Sequence, residues 1–390
     1  MVTRYGIERL RSFGTTIFAE MTALAVATDS INLGQGFPDT DGPAEVAEVA
    51  IAAIRDGRGN QYPPGAGVPE LRQAISRHQQ RWYGLDVDPD TEVLVTAGAT
   101  EAIAAAILGL CEPGDEVVVF EPSYDSYLAT IAMAGAVAVT VPLRSPDWSF
   151  DLDQLRAAVS PTTRLMLLNT PHNPTGKVFT AAELDEIADV AIERDLIVVT
   201  DEVYEHLTFD RDHIPLATRP GMAERTLTIS SAGKTFSFTG WKIGWISGPA
   251  DLIAAVRRVK QFLTYVHGGP FQYAVAHGLG LPDDYFAGVA SSLRDGRDQL
   301  AAGLSRLGFD PFVPEAGYFV TTDVTPLGEP DGMAFCRALP QQCGVVAIPS
   351  VVFYSSEAGV RIGRPLVRWA FCKQRSVLDE ALLRLESLRP

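Results

Sequence analysis

Apolar positions along this chain switch repeatedly between two spacings, and the switching predicts strands and helices in turn. Helical spacing predicts helices from Ala44 to Asp56 and from Pro69 to Trp82. Short runs rich in valine, isoleucine and leucine predict buried strands between helical segments. The alternation continues through residues 92–96, 101–110, 116–120, 137–141, 152–159, 164–168, 181–194 and 196–200. This order is typical of an α/β fold with a mostly parallel sheet covered on both faces.

The remainder of the chain predicts a second, smaller unit. A helix over residues 249–262 and a glycine-rich loop over residues 265–272 precede a long helix from Asp283 to about Leu307. Short apolar strands follow near residues 318–323, 345–348 and 366–371. The first 30 residues form a mildly amphipathic arm. Together these segments predict an α+β portion beside the larger sheet.

Composition mainly excludes certain partners, a membrane span and a metal site. The 390 residues leave room for two domains, and the net charge of −16 disfavours nucleic acid and anionic membranes as partners. The longest apolar run, residues 128–143, is too short to span a membrane, and the N-terminus lacks the pattern of a secretion signal. The four cysteines form no C-x-x-C pair, and the six histidines show no ligand spacing. We therefore expect a soluble cytoplasmic protein without a metal site.

Lys234 is the first candidate for chemistry. It follows an apolar strand that ends at small residues, Ser230-Ser-Ala-Gly233. Such a setting removes the amine partly from water, which lowers the pKa of an ammonium group and exposes a nucleophile for aldehydes. Gly233-Lys234-Thr235 also matches the end of an ATPase phosphate loop, but the first glycine of that motif is replaced by Thr228. The ATPase interpretation therefore lacks its phosphate cradle.

Three further segments place polar groups after predicted strands. Gly98, Ala99 and Thr100 form a turn before a helix, where free backbone N–H groups and the helix dipole favour a phosphate. Asp201 ends an apolar strand, and Asn173 lies in a turn shaped by two X-Pro steps. Ligands bind beyond the carboxyl ends of such strands, so we expect these groups to share one site.

Two residues elsewhere in the chain extend the candidate site. Gly36 lies in a glycine-proline loop where the backbone can approach a ligand closely. Arg368 is a lone cation inside an apolar strand, and a buried guanidinium requires an anionic partner. From the residues alone, that partner is either an internal carboxylate or a bound anion.

The segment around Lys234 resembles the cofactor-lysine signature of pyridoxal-phosphate aminotransferases with the aspartate-aminotransferase fold. The signature reads Ser-x-x-Lys followed by Gly-x-[Arg/Lys]-x-Gly. It is filled here by Ser231, Lys234, Gly240, Lys242 and Gly244. Many relatives carry arginine in place of Lys242, whereas the kynurenine/glutamine transaminase branch carries lysine. Similar motifs continue from Gly-Gln-Gly-Phe-Pro-Asp near the N-terminus to the final strand, in family order.

The resemblance implies a fold-type-I enzyme that acts as a homodimer on amino acids and 2-oxo acids. It implies a large cofactor domain at residues 44–282 and a small domain formed by residues 1–43 and 283–390. Lys234 would bind pyridoxal 5'-phosphate covalently and move a proton, and Asp201 would hold the ring nitrogen. The resemblance assigns the other cofactor contacts to Tyr124, Asn173, Tyr204, Ser231, Lys242, the 98–100 turn and Tyr62 of the neighbouring subunit.

The substrate is the least determined part of the resemblance. It assigns the substrate α-carboxylate to Arg368, with Gly36 and Asn173 bordering the substrate. The motifs are most similar to actinobacterial N-succinyl-L,L-diaminopimelate aminotransferases, which use glutamate as donor. Kynurenine, glutamine or methionine transamination and cysteine-conjugate β-elimination remain open alternatives. A pyridoxal-binding DNA regulator is disfavoured, because this acidic chain has no additional basic segment.

Overall fold

The computed structural model describes residues 6–388 of the chain. The predicted arm therefore lies partly outside the described residues. The strands are β1 (Ile31–Asn32), β2 (Val93–Thr96), β3 (Glu116–Glu121), β4 (Val137–Pro142), β5 (Thr163–Asn169), β6 (Ile197–Asp201), β7 (Thr226–Ser231), β8 (Gly244–Ser247), β9 (Asp310–Phe312), β10 (Phe319–Asp323), β11 (Val345–Val346), β12 (Ile348–Pro349) and β13 (Leu366–Ala370).

Helices alternate with these strands. They are α1 (Ile17–Thr28), α2 (Ala44–Arg55), α3 (Pro69–Tyr83), α4 (Gly98–Leu110), α5 (Asp125–Ala134), α6 (Leu152–Ala157), α7 (Ala181–Glu193), α8 (Ala232–Thr235), α9 (Ala250–Leu263), α10 (Gly269–Gly278), α11 (Asp283–Arg306), α12 (Gly332–Cys343), α13 (Glu357–Gly363) and α14 (Arg375–Leu385). Within residues 6–388, no helix combines the length and the apolar character needed to cross a membrane.

A seven-stranded sheet in the order β2-β8-β7-β6-β5-β3-β4 confirms the predicted α/β class. Its strands are parallel except β8, which runs antiparallel to both neighbours. The central strands are buried over almost their whole length because helices cover both faces. Apolar side chains of α4 and α9 pack on one face, and those of α6 and α7 pack on the other.

A four-stranded antiparallel sheet, β12-β13-β10-β9, forms the smaller α+β part. Strand β1 pairs in parallel with β11, and Met21 of α1 shares a buried cluster with Trp369 and Leu382. Both ends of the chain therefore contribute to one core. The exact domain boundaries after residues 43 and 282 stay a prediction.

Two local predictions differ from the structure. The segment 98–100 is the first turn of α4 and not a turn before it. The glycine-rich segment 265–272 contains the start of α10, because Gly268 adopts a left-handed conformation with φ of 56° and Pro270 occupies the first turn. Proline is favoured there since the first helical N–H groups need no partner within the helix.

Gly244 permits close packing between β8 and the start of α4, and this contact generates a prediction. A Cβ atom at Gly244 would lie 2.6 Å from the Gly98 carbonyl carbon and 2.8 Å from the Ala99 nitrogen. Because backbone atoms cannot yield as a flexible side chain does, Gly244→Ala should lower the free energy of unfolding by about 1–3 kcal/mol. Denaturant titration measures this change.

Gly240→Ala is the matched control, because a Cβ atom at Gly240 meets no atom within 4 Å. Equal unfolding free energies for the two variants would contradict the packing argument.

Candidate active site

Most of the predicted residues meet at a cavity of about 230 Å³. It lies at the carboxyl ends of β5, β6 and β7 and at the N-terminus of α4. Parallel strands bring their carboxyl ends to one edge of the sheet, which explains why segments distant in sequence converge here. The sequence-predicted residues that line the cavity are Gly98, Ala99, Thr100, Tyr124, Asn173, Asp201, Tyr204, Ser231, Lys234 and Lys242.

Lys234 lies in the four-residue helix α8, directly after β7. Its Nζ donates a hydrogen bond to the Gly36 carbonyl at 3.3 Å and lies 5.1 Å and 5.5 Å from the ring centres of Tyr318 and Tyr204. Burial lowers the pKa of the Lys234 ammonium from 10.5 to about 8, while the charge of Asp201 opposes this shift. The uncharged amine is therefore far more populated near neutral pH than in an ordinary lysine, although the ammonium form still predominates at pH 7.

Asp201 ends β6 and is buried beside Tyr127. The Tyr127 hydroxyl donates a 2.6 Å hydrogen bond to Asp201 Oδ2, and the Val203 N–H donates to Oδ1 at 3.4 Å. Burial raises the pKa of Asp201 to about 6, against the opposing effect of these two hydrogen bonds. The carboxyl group is consequently ionised above about pH 6.

Sequence reasoning missed Tyr127. It lies three residues after Tyr124, and both side chains face the cavity from the start of α5. Their rings contact edge to face with centres 5.8 Å apart. The i, i+3 spacing of two tyrosines at a helix start could have indicated this shared face.

The rings of Tyr204 and Tyr318 pack beside the Lys234 amine. Their rings meet edge to face at 5.4 Å, and the Tyr318 hydroxyl donates to the Lys234 carbonyl at 3.2 Å. Burial raises the pKa of both tyrosines well above the ordinary value of 10.0, so both phenols stay protonated. The tyrosines can therefore act as hydrogen-bond donors.

Arg368, on β13, reaches the edge of the cavity from the smaller sheet. Its guanidinium donates to Asn173 Oδ1 at 3.2 Å and to the Gly34 carbonyl at 2.9 Å. The ring centres of Phe319 and Phe353 lie 3.8 Å and 4.8 Å from its Cζ. Burial lowers the pKa of the guanidinium to about 10, which still leaves it charged at neutral pH.

The Arg368 charge has no ion-pair partner within the described part of the chain. Its Nε also makes no hydrogen bond there, although it is buried. The alternative of a salt-bridged internal Asp or Glu is therefore not realised. A buried guanidinium with free donor capacity fits an external carboxylate.

Gly36 packs against the Phe319 ring that lies over Arg368, and its carbonyl accepts the hydrogen bond from Lys234. A Cβ atom at Gly36 would fall 2.1 Å from the Phe319 ring, so this packing by itself requires glycine. The sequence interpretation, that glycine permits a ligand to approach, stays a prediction.

The opposite end of the cavity is suited to an anion. Ser231 lies at the end of β7, and the N-terminal N–H groups of the 13-residue helix α4 are not used within that helix. The Lys242 amine lies close by, since a Cβ atom on Gly98 would be only 3.0 Å from Lys242 Nζ. Gly98 itself has a φ of 74°. Together these groups give the cavity that contains Lys234 a set of donors suited to a phosphate.

Tyr62 does not line this cavity. Its side chain is 81% exposed, and its ring contacts that of Tyr265 at 5.6 Å. The structure thus leaves Tyr62 on the surface, where Phe262 and Leu263 are exposed as well.

One cluster that the sequence did not predict lies outside the cavity. Ligand atoms of His78, Glu205 and His206 fall within 4.8 Å of one another. The two Nε2 atoms are 2.6 Å apart, whereas two nitrogens on a tetrahedral zinc ion at ~2.0–2.1 Å would be roughly 3.3 Å apart. Glu205 already accepts hydrogen bonds from Tyr83 and Ser230. The geometry is that of a hydrogen-bonded buried network.

Comparison with known proteins finds similar sequences and similar structures over most of the chain. A family model described as aminotransferase class I and II matches residues 28–369. A probable N-succinyldiaminopimelate aminotransferase of Mycobacterium tuberculosis is 54% identical, with 98% of both chains covered. A solved structure of N-succinyldiaminopimelate aminotransferase from that organism has a TM-score of 0.95 and covers 98% of this chain and 100% of its own.

Other relatives carry different substrates in their names. Kynurenine–oxoglutarate transaminase 3 of Rattus norvegicus is 40% identical, covering 96% of this chain and 88% of its own. Methionine aminotransferase of Escherichia coli is 39% identical, with 97% of both chains covered.

The environment of Lys234 generates a pH prediction. In protein freed of bound aldehydes, acylation of Lys234 should reach half its maximal rate near pH 8, whereas ordinary lysines become half deprotonated at about pH 10.4. Asp201→Asn removes a negative charge that raises the Lys234 pKa, so the midpoint should move to lower pH. Mass spectrometry of the labelled peptides measures both midpoints.

The Lys234→Ala variant is the control. Its corresponding peptide cannot be acylated at position 234, so the label that is absent from it identifies the signal of Lys234. A midpoint near pH 10 in the wild type would show that the amine is not desolvated in solution.

Proposed function

The chain belongs to the class I and II aminotransferases, and from this membership we propose that it uses pyridoxal 5'-phosphate to move the amino group of an L-amino acid to a 2-oxo acid. The cofactor, when bound, supplies an aldehyde that captures amines and a protonated ring that accepts electrons. The observation that carries the proposal is the convergence of a desolvated lysine, a carboxylate and an anion cradle in one cavity.

The residues present fit the cofactor at three points. The first turn of α4, with Ser231 and Lys242, offers N–H, hydroxyl and ammonium donors to a phosphate. Asp201 offers a buried carboxylate to the ring nitrogen, and the Tyr127 hydroxyl holds one of its oxygens. Asn173 and Tyr204 offer an amide and a phenol to the ring oxygen, while Tyr124 offers an aromatic face.

Lys234 performs the proton chemistry in this proposal. Its uncharged Nζ would hold the cofactor aldehyde, and as a free amine it would move a proton from the substrate Cα to the cofactor. Burial supports this role because a lysine with a lowered pKa can act as a base near neutral pH.

Arg368 binds the substrate α-carboxylate in this proposal. A guanidinium can donate two parallel hydrogen bonds to a carboxylate, and the stacked rings of Phe319 and Phe353 restrict its orientation. The carboxylate also supplies the negative charge that this buried cation lacks among residues 6–388. The same contact serves the amino acid and the 2-oxo acid, since both carry that carboxylate.

The amino acid that we propose is N-succinyl-L,L-diaminopimelate, with glutamate and 2-oxoglutarate as the second pair. The support is the 54% identity over nearly the full length of the Mycobacterium tuberculosis relative. Broad transamination of kynurenine, glutamine or methionine is the second candidate. One aromatic neighbour of the proposed carboxylate-binding group favours it, because the ring centre of Phe18 lies 5.2 Å from Arg368 Cζ.

A substrate panel tests this proposal. The wild-type enzyme loaded with pyridoxal phosphate should convert N-succinyl-L,L-diaminopimelate and 2-oxoglutarate to glutamate with a higher kcat/KM than kynurenine, glutamine or methionine. Stoichiometric ketoacid release without pyruvate or ammonia separates transamination from β-elimination of cysteine conjugates. An inert succinylated substrate together with rapid turnover of kynurenine or glutamine would transfer the assignment to the second candidate.

We also propose a homodimer with shared sites in a reducing compartment such as the cytoplasm, and the four free cysteines agree with that compartment. Tyr62 and Tyr265 offer exposed rings to a second copy, and Tyr62 would reach the neighbour's phosphate. Tyr62→Phe should therefore weaken cofactor retention without lowering the unfolding free energy of the monomer.

Mixing refolded Tyr62→Phe and Lys234→Ala chains tests the sharing directly. One site of each heterodimer then combines the wild-type Lys234 of one chain with the wild-type Tyr62 of the other. Cofactor retention and activity should rise above those of either variant alone. A fully active monomer in sedimentation experiments would contradict the proposal.

A further inference from the structure

Glu121, the last residue of β3, is completely buried and is held by two consecutive serines. Its Oε2 accepts hydrogen bonds from the Ser355 N–H at 2.9 Å, the Ser355 hydroxyl at 3.3 Å and the Ser356 N–H at 3.2 Å. Its Oε1 accepts from the Ser356 hydroxyl. No basic side chain among the described residues forms an ion pair with it.

The contact joins the two sheets of the molecule. Glu121 belongs to the seven-stranded sheet, whereas Ser355 and Ser356 follow a segment packed in the core of the smaller part. A Cβ atom at Gly359 would lie 2.3 Å from Glu121 Oε1, so the room for the carboxylate depends on that glycine. The Glu121 carboxylate therefore depends on the serine donors and also on the absence of a side chain at Gly359.

Each of the two chain segments that form this contact also carries a residue of the proposed active site or a residue packed against it. On one side, Tyr124 lies three residues after Glu121 and lines the cavity. On the other side, Phe353 lies two residues before Ser355 and stacks on Arg368 with 4.8 Å between ring centre and Cζ. A second bond links the same segments, because the Ser123 N–H donates to the Phe353 carbonyl at 2.7 Å.

We propose that Glu121 is a positioning residue: by holding Ser355 and Ser356, it fixes the distance between the Tyr124 wall of the cavity and the carboxylate-binding Arg368. This inference rests on the proposed function, since it concerns the substrate carboxylate of the same cavity. Charge-assisted hydrogen bonds are stronger than neutral ones, and a buried carboxylate deprived of its donors is costly. We therefore expect the serines to stay bound to Glu121 when ligands enter and leave the neighbouring cavity.

Glu121→Gln is the variant that tests this role. The amide keeps the size of the side chain but turns one acceptor into an N–H group that faces serine donors. Arg368 should then bind carboxylates less precisely, so KM should rise about tenfold for the amino acid and for the 2-oxo acid, with a smaller change in kcat. Lys234 chemistry and the absorption of the bound cofactor should change little.

Glu116→Gln is the matched control. Glu116 begins the same strand and also accepts from hydroxyl groups, those of Ser160 and Thr163, but at the end of β3 that is remote from the cavity. It should leave both KM values unchanged. Hydrogen exchange of the cofactor-loaded enzymes gives a second measurement: the amides of Ser355 and Ser356 should exchange faster in Glu121→Gln and not in Glu116→Gln.

The outcomes separate the two proposals. If Glu121→Gln does not fold, Ser355→Ala and Ser356→Ala remove one hydroxyl donor each and should raise both KM values in the same direction, by less. With an active wild type, unchanged KM values in the folded variants overturn the positioning role alone. A wild-type enzyme that transaminates no substrate overturns the proposed function, and the positioning role with it.

Discussion

Burial of charge without full compensation is the constraint on which this site depends. Lys234, Asp201 and Arg368 all lie where water is largely removed, and burial shifts each pKa toward the neutral form. The shift favours a free amine on Lys234, yet it is small enough to leave Asp201 and Arg368 charged near neutral pH. Burial therefore prepares a nucleophile without neutralising the anion and the cation at neutral pH.

The sheet supplies the geometry that burial alone cannot provide. Strands β5, β6 and β7 end at the cavity, and each delivers one polar group at or just after its last residue. The antiparallel β8 lies beside β7 and brings Gly244 against the start of α4. The smaller sheet then contributes Arg368 from outside. The groups that we propose for catalysis thus come from one sheet edge, whereas the group that we propose for the carboxylate comes from a separately packed layer.

Contiguous signals were predictable from the sequence, and contacts between distant segments were not. The Lys234 loop and Asp201 could be located because an apolar strand and a change to small or acidic residues are adjacent in the chain. The donor to Asp201 could not be identified, since Tyr127 reaches it only through the position of α5. Nor could Glu121 be paired with two serines 234 and 235 positions away. Helix α10 was missed because its first residues are glycine and proline, which usually indicate loops.

The hydrogen bond from Arg368 to the Gly34 carbonyl spans 334 positions of the chain. Arg368, which we propose for the substrate carboxylate, is thus translated long after its hydrogen-bond partner Gly34. A nascent chain can complete the seven-stranded sheet once β8 has emerged, long before β13 exists. The cradle that we propose for the cofactor can therefore form on the ribosome as a unit, whereas the proposed recognition of the substrate must wait until β13 has been translated.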